Sequence, residues 1–291
     1  SRARWNELRL GYTEAQGLPE LRQEIARLYP NLSAEQILLV TPEEGIFIFM
    51  HAHLRPGDEV IVISPAYQSL LEIARSLGCR VHEWRVQPVE GGWRLDLDWL
   101  EQTLSDQTRL LVVNFPHNPT GYLPPQDEWQ AILNLSRRHG VTVFSDEMYR
   151  GLEYQPGDRL SSAADSYEQA ITLSGLSKTY ALPGLRVGWL ALQDRALLEK
   201  LWGIKDYTTI CASAPAEILG LIALENGLAL IERSLGIVRQ NLRAAETFFA
   251  GRPEQFKWLA PRAGSVAFPR WVGPGRVEAF CQAALDQAGI T

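Results

Sequence analysis

Short apolar runs alternate with helical periods along most of this chain, and that alternation limits what it can fold into more than any other feature. The run Glu59-Val60-Ile61-Val62-Ile63 follows the turn Arg55-Pro56-Gly57-Asp58 and stops before Pro65, which marks a short buried strand. Further strands are expected at 80–85, 109–113, 141–144, 170–173 and 186–192, with helices at 17–28, 45–54, 68–77, 97–104 and 126–139. Apolar strands separated by helices make βαβ units. The fold class is therefore α/β, a three-layer αβα arrangement around a mainly parallel sheet. After Asp194 the pattern is helical through Ala250, followed by a short strand at 265–268 and a helix at 276–287, the start of a smaller α+β domain. The division expected is an N-terminal arm at 1–16, a large domain at 17–233 and an incomplete small domain at 234–291.

A length of 291 residues is enough for one large core or two domains. The net charge of −6 gives no general attraction for nucleic acid or an anionic membrane, so an anionic ligand needs its own basic group. The most apolar long stretch, 212–231, contains Pro215, Glu217, Glu225 and Asn226 and reads as a packed helix rather than a membrane span. Cys79, Cys211 and Cys281 are too far apart for a readable disulfide framework or metal site, which fits a reducing cytoplasm. The lack of an initiating Met, and an end directly after a helix-like run, lead to the expectation of a fragment.

Ligands of open α/β sheets bind beyond the carboxyl ends of the strands. Four such ends carry unusual content: Pro65-Ala66-Tyr67, the loop at 114–121, Ser145-Asp146-Glu147-Met148-Tyr149, and Ser174-Gly175-Leu176-Ser177-Lys178. Lys178 stands out because arginine is the default cation, with 24 arginines against four lysines, and Lys200, Lys205 and Lys257 lie in polar, surface-like contexts. A lysine amine can condense with a carbonyl, whereas a guanidinium cannot. Lys178 thus points to Schiff-base chemistry, with a solvated loop lysine as the bland alternative. Arg186 follows a loop containing Pro183-Gly184 that can fold it back beside Lys178, where it suits a phosphate, with the hydroxyls of Ser174 and Ser177 as further donors.

Asp146 ends an apolar strand, so its carboxylate needs a cationic partner such as a protonated pyridine nitrogen, or else it caps a helix. Tyr149 can return its hydroxyl to the same cleft. Asn118 offers an amide from a loop stiffened by Pro116, Pro119, Pro124 and Pro125, and Asn118-Pro119 is expected to be cis. Taken singly, Tyr67 and Tyr149 also read as packing residues, and Asn118 as a turn residue.

From Gly11 to Phe268 these motifs resemble fold-type I enzymes of the class I/II aminotransferase family, which depend on pyridoxal 5′-phosphate (PLP). The most specific parts are 114–121, 145–149, and 174–178 continuing into Gly184-Leu185-Arg186-Val187-Gly188-Trp189. The resemblance implies that Lys178 holds the cofactor as a Schiff base and shuttles a proton between the substrate α-carbon and the cofactor. It implies that Asp146 pairs with the pyridine nitrogen, that Asn118 and Tyr149 bind the ring 3-oxygen, and that Tyr67 stacks on the ring. Arg186 with Ser174 or Ser177 would hold the phosphate. Tyr12 would reach the phosphate of a neighbouring subunit, implying a homodimer with shared sites.

The implied reaction moves an amino group between an amino acid and a 2-oxo acid. The same residues also serve β- or γ-elimination, as in C–S lyases and aminocyclopropane-carboxylate synthases, or a non-catalytic PLP-binding regulator. Two departures stand out. Thr41-Pro42-Glu43-Glu44-Gly45-Ile46 replaces the family's phosphate-cradling helix start and is two residues shorter, and its acids would repel a phosphate unless turned outward. The family's arginine for the substrate carboxylate lies in a later segment, for which Arg262 and Arg270 are poor substitutes. Trp84, Trp93 and Trp189 read as core rather than pocket.

Overall fold

The structure is a computed structural model that describes residues 2–290. Its helices are α1 (Arg2–Asn6), α2 (Pro19–Ala26), α3 (Pro42–His53), α4 (Ser69–Ser76), α5 (Leu97–Thr103), α6 (Gln126–Arg138), α7 (Ala163–Ser166), α8 (Arg195–Lys205), α9 (Ala214–Glu225), α10 (Gly227–Ala250) and α11 (Val277–Ala288). The strands are β1 (Ile37–Val40), β2 (Glu59–Ser64), β3 (Arg80–Arg85), β4 (Gln87–Val89), β5 (Gly92–Arg94), β6 (Thr108–Asn114), β7 (Thr142–Asp146), β8 (Ala170–Gly175), β9 (Gly188–Leu192), β10 (Phe256–Lys257) and β11 (Arg270–Trp271).

Seven strands form one sheet in the order β1-β9-β8-β7-β6-β2-β3. The neighbours from β3 to β8 pair in parallel, and β9 runs antiparallel to both β8 and β1. This is the expected three-layer α/β fold with a mainly parallel sheet. Alternate residues of each strand serve opposite layers: Val60 and Val62 pack with α3 and α4, while Ile61 and Ile63 pack with α5 and α6. A third cluster joins Ile37, Leu39 and Trp189 of the sheet edge to Leu21 and Ile25 of α2 and Leu221 of α9. Trp84 and Trp189 are core residues as expected, whereas Trp93 is half-buried against Phe268.

Some elements differ from the sequence reading. The run Ile37-Leu38-Leu39-Val40 is an edge strand that periodicity did not separate from its connections, because four apolar residues fit either period. The stretch 212–231 is not one helix: it breaks at Asn226 into α9 and α10, which meet at 79°. Among the described residues no single helix is long and apolar enough to cross a membrane. The strand expected at 265–268 does not form. Its neighbours are committed elsewhere, with Ala263 bridged to Glu153 and Gly264 N–H donating to the Leu152 carbonyl at 2.9 Å. The expected boundary at 233/234 falls inside the unbroken helix α10, which we propose links the two units.

Two glycines set the shape of the sheet's carboxyl edge. Gly188, paired with Gly175 across β8 and β9, lets α3 approach, since a Cβ on it would lie 2.8 Å from Pro42 Cγ. Gly121 closes the 114–121 loop at φ +67°, and a Cβ there would meet Pro261 Cβ at 2.2 Å. Replacing Gly121 with alanine is expected to destabilise the fold by about 2 kcal/mol or more, through a left-handed backbone and a clash that neither partner can relieve cheaply. Denaturant unfolding checks this, and an unchanged midpoint would rule it out.

Candidate active site

The parallel strands end on one edge of the sheet, and the antiparallel β9 begins there, which is why residues more than a hundred positions apart meet. A cleft of about 330 Å³ opens at this edge. Its walls carry Tyr67, Asn118, Asp146, Tyr149, Ser177, Lys178 and Arg186, all of the expected site residues except Ser174 and Tyr12.

Asp146 is the last residue of β7 and is buried, with one carboxylate oxygen accepting the Met148 N–H at 3.0 Å. Burial pushes its carboxyl up to about 7; the nearby charges of Glu147 and Glu43 add to the rise, and the Met148 hydrogen bond and Lys178 oppose it. A carboxyl in this state is suited to a cationic partner. Tyr149 is buried on the same wall, and its phenol is pushed up to about 12 by burial and then by the Asp146 charge. Lys178 Nζ lies 5.8 Å from the centre of the Tyr149 ring.

Asn114, the last residue of β6, fixes two of these groups at once, a role the sequence reading did not assign. Its side-chain amide donates to the Asp146 carbonyl at 2.9 Å and its side-chain oxygen accepts the Asn118 N–H at 2.7 Å. A polar residue closing an otherwise apolar strand was the signal. The Asn118-Pro119 bond is cis as expected, as are Ser64-Pro65 and Phe115-Pro116. Glu147 was likewise missed. Fully buried, it accepts Ser162 Oγ at 3.1 Å, the Ala163 N–H at 2.9 Å and Thr172 Oγ1 at 3.0 Å, which fastens the turn between Asp146 and Tyr149.

Ser177 Oγ is buried with no hydrogen-bond partner among the described residues, so it is free to donate to a ligand. Arg186 sits at the mouth with a left-handed backbone of φ 56°, which ends the turn at Pro183–Leu185 and delays β9 to Gly188. Ser174 is not on the cleft wall. Leu173 lines the cleft, and strand alternation turns Ser174 the other way, to the Glu147 carbonyl at 3.5 Å. Tyr12 lies in the N-terminal arm, 89% exposed and away from the cleft.

The two acids of the shortened α3 start have separate fates. Glu44 turns away, accepting the Thr41 N–H at 3.2 Å in a capping box and Thr209 Oγ1 at 2.7 Å. Glu43 stays on the cleft wall. Lys205, expected at the surface, is fully buried and donates to the carbonyls of Ala15 at 2.5 Å and Ile210 at 3.1 Å. The N-terminal segment before α2 supplies one of those carbonyls and the turn after α8 the other, which no local pattern shows. Arg262 pairs with Asp158 at 3.0 Å and lines a separate hollow, and Arg270 lies in β11; neither lines the cleft.

A mainly parallel α/β sheet with a lysine and a buried acid in one cleft at its carboxyl edge defines a cofactor-dependent enzyme fold. The chain belongs to the family Aminotransferase class I and II, which it matches over residues 3–291. It is 35% identical to capreomycidine synthase of Streptomyces vinaceus, over 85% of this chain and 63% of that protein. It is 33% identical to the aspartate/prephenate aminotransferase of Thermus thermophilus, over 74% of this chain and 57% of that protein. The chain thus spans 57–63% of the length of these relatives. Among solved structures, a PLP-dependent aminotransferase from Streptococcus suis superposes with a TM-score of 0.92 at 28% identity, covering 99% of this chain and 76% of that one.

Members of the family depend on PLP, the cofactor of this chain. The cleft fits it. A buried carboxyl awaits a cation, an unpartnered buried hydroxyl awaits an acceptor, and a lysine and an arginine share the opening.

Proposed function

We propose that the chain carries the cofactor-binding core of an aminotransferase, which moves the amino group of an amino acid to a 2-oxo acid. The observation that carries this reading is the convergence of Lys178, Asp146, Tyr149, Asn118 and Arg186 on one cleft. When bound, PLP supplies an electron sink that eases removal of the substrate α-proton. Lys178 Nζ attaches the cofactor and then takes the proton from the substrate α-carbon and returns it. Asp146 holds a proton on the pyridine nitrogen. Asn118 and Tyr149 orient the ring through its 3-oxygen, Tyr67 covers its face against water, and Arg186 with Ser177 holds the phosphate. Tyr12, exposed on the arm, suits contact with a second copy of the chain in a homodimer.

The similarity to a protein named a synthase rather than an aminotransferase leaves room for a second reading, in which the same residues carry α-proton removal through to loss of a β- or γ-substituent rather than to amino transfer. One experiment separates the two. PLP-loaded protein is incubated with single amino donors and no 2-oxo acid acceptor. Amino transfer is expected to convert the cofactor to its amine form, with one equivalent of 2-oxo acid and no ammonia. Ammonia release with the cofactor unchanged would overturn the aminotransferase reading and support elimination.

A further inference from the structure

Glu43 is the charged side chain of the cleft to which the reading above gives no task. It lies in the first turn of α3 and shares the wall with Tyr67, Asp146, Lys178 and Arg186. Among the described residues it has no ion-pair partner within 4.0 Å. Its hydrogen-bonded contact is a hydroxyl. Glu43 Oε1 accepts Ser69 Oγ at the start of α4. The same carboxylate shares the cleft wall with Tyr67, and its charge opposes ionisation of the Tyr67 hydroxyl, with burial adding to the effect.

Tyr67 needs such an anchor. It sits on the short link between β2 and α4 and is 49% exposed, so little packing fixes its ring. A tyrosine has only two rotatable side-chain bonds, and one strong bond at its hydroxyl is enough to hold the ring plane. A carboxylate acceptor makes that bond about twice as strong as a neutral one does.

We propose that Glu43 is a positioning residue: by gripping the hydroxyls of Tyr67 and Ser69 together, it fixes the Tyr67 ring as a wall over the cofactor. The assignment rests on the reading that places Tyr67 on the cofactor face. It also gives the acidic α3 start a purpose. The turn spends its side chain on the ring that covers the cofactor, while Glu44 caps the helix.

The test uses the full chain loaded with PLP and compares Glu43→Ala, Glu43→Gln, Tyr67→Phe and Ser69→Ala. Visible-region circular dichroism reads cofactor geometry without turnover, and titration with PLP reads its retention. Glu43→Ala and Tyr67→Phe are each expected to diminish the visible signal and to weaken retention by about tenfold, the scale of one charge-assisted hydrogen bond. The double variant should lose no more than either single one. Glu43→Gln, which keeps the shape and one acceptor oxygen, should recover most of the signal. An unchanged signal in Glu43→Ala would overturn the proposal. So would losses that multiply in the double variant, or a loss reproduced by Ser69→Ala but absent in Tyr67→Phe, which would make Glu43 a helix tether only. A native protein without any visible signal would overturn the cofactor-site reading and this assignment with it.

Discussion

Replacing Lys178 with alanine is expected to abolish covalent attachment of PLP and to lower turnover at least about a thousandfold, the range for loss of a positioned acid–base group. The argument starts from composition: in a chain whose cations are nearly all arginine, a lysine stands in the turn just beyond the end of β8. The fold then places its amine in the cleft with Asp146 and beside the Tyr149 ring. Arginine at this position should not restore function, because a guanidinium neither condenses with a carbonyl nor gives up its proton. Borohydride reduction followed by mass spectrometry checks the claim. Native protein should gain the mass of the reduced cofactor on the peptide holding Lys178, and an adduct that persists in Lys178→Ala would remove the central assignment.

The second large effect concerns Asp146→Asn. In the cofactor-free protein burial raises this carboxyl to about 7, above its usual range near 4. The folded state therefore holds the proton more tightly than the unfolded chain does. Stability from this group is full below pH about 4, is lost as pH rises toward about 7, and is flat above that. Three pH units correspond to at most about 4 kcal/mol. Asparagine carries no charge at any of these values. Cofactor-free Asp146→Asn should thus lack this slope and be more stable than the native protein at pH 8. Urea unfolding of the cofactor-free protein across this window provides the measurement, and a native stability that does not fall from pH 4.5 to 7.5 would refute the burial argument. The loaded variant should lose about a hundredfold or more in turnover, because an amide cannot keep a proton on the pyridine nitrogen.

These two predictions pull in opposite directions at one residue. The charge that costs stability in the empty cleft is the one the cofactor's ring nitrogen needs. Functional groups are commonly held at such a cost, and the buried Glu147 network behind Asp146 keeps the turn in place while the carboxyl waits for its partner.

Much of the site was legible before any coordinates. Lys178, Asp146, Asn118 and Tyr149 follow apolar runs, and in an α/β sheet the residues after such runs collect at one edge. Ser174 shows the limit of that reasoning. It adjoins the right strand end, but strand alternation turns it from the cleft, and a shift of one residue decides the face. Asn114 and Glu147 were passed over because their importance lies in partners distant in sequence, Asn114 with Asp146 and Glu147 with Ser162 and Thr172.

Local periodicity and strand-end chemistry were sufficient to establish the α/β class and to single out Lys178, and the resemblance of the strand-end motifs to a known family supplied the cofactor, because all three depend on short-range patterns. Tertiary packing alone decided that β9 runs antiparallel beside β1, that Lys205 is buried against Ala15 and Ile210, and that Glu44 turns outward while Glu43 remains in the cleft. Each of those outcomes depends on which backbone and side-chain groups arrive from elsewhere in the chain, and a buried charge or unpaired strand takes the partner that packing delivers.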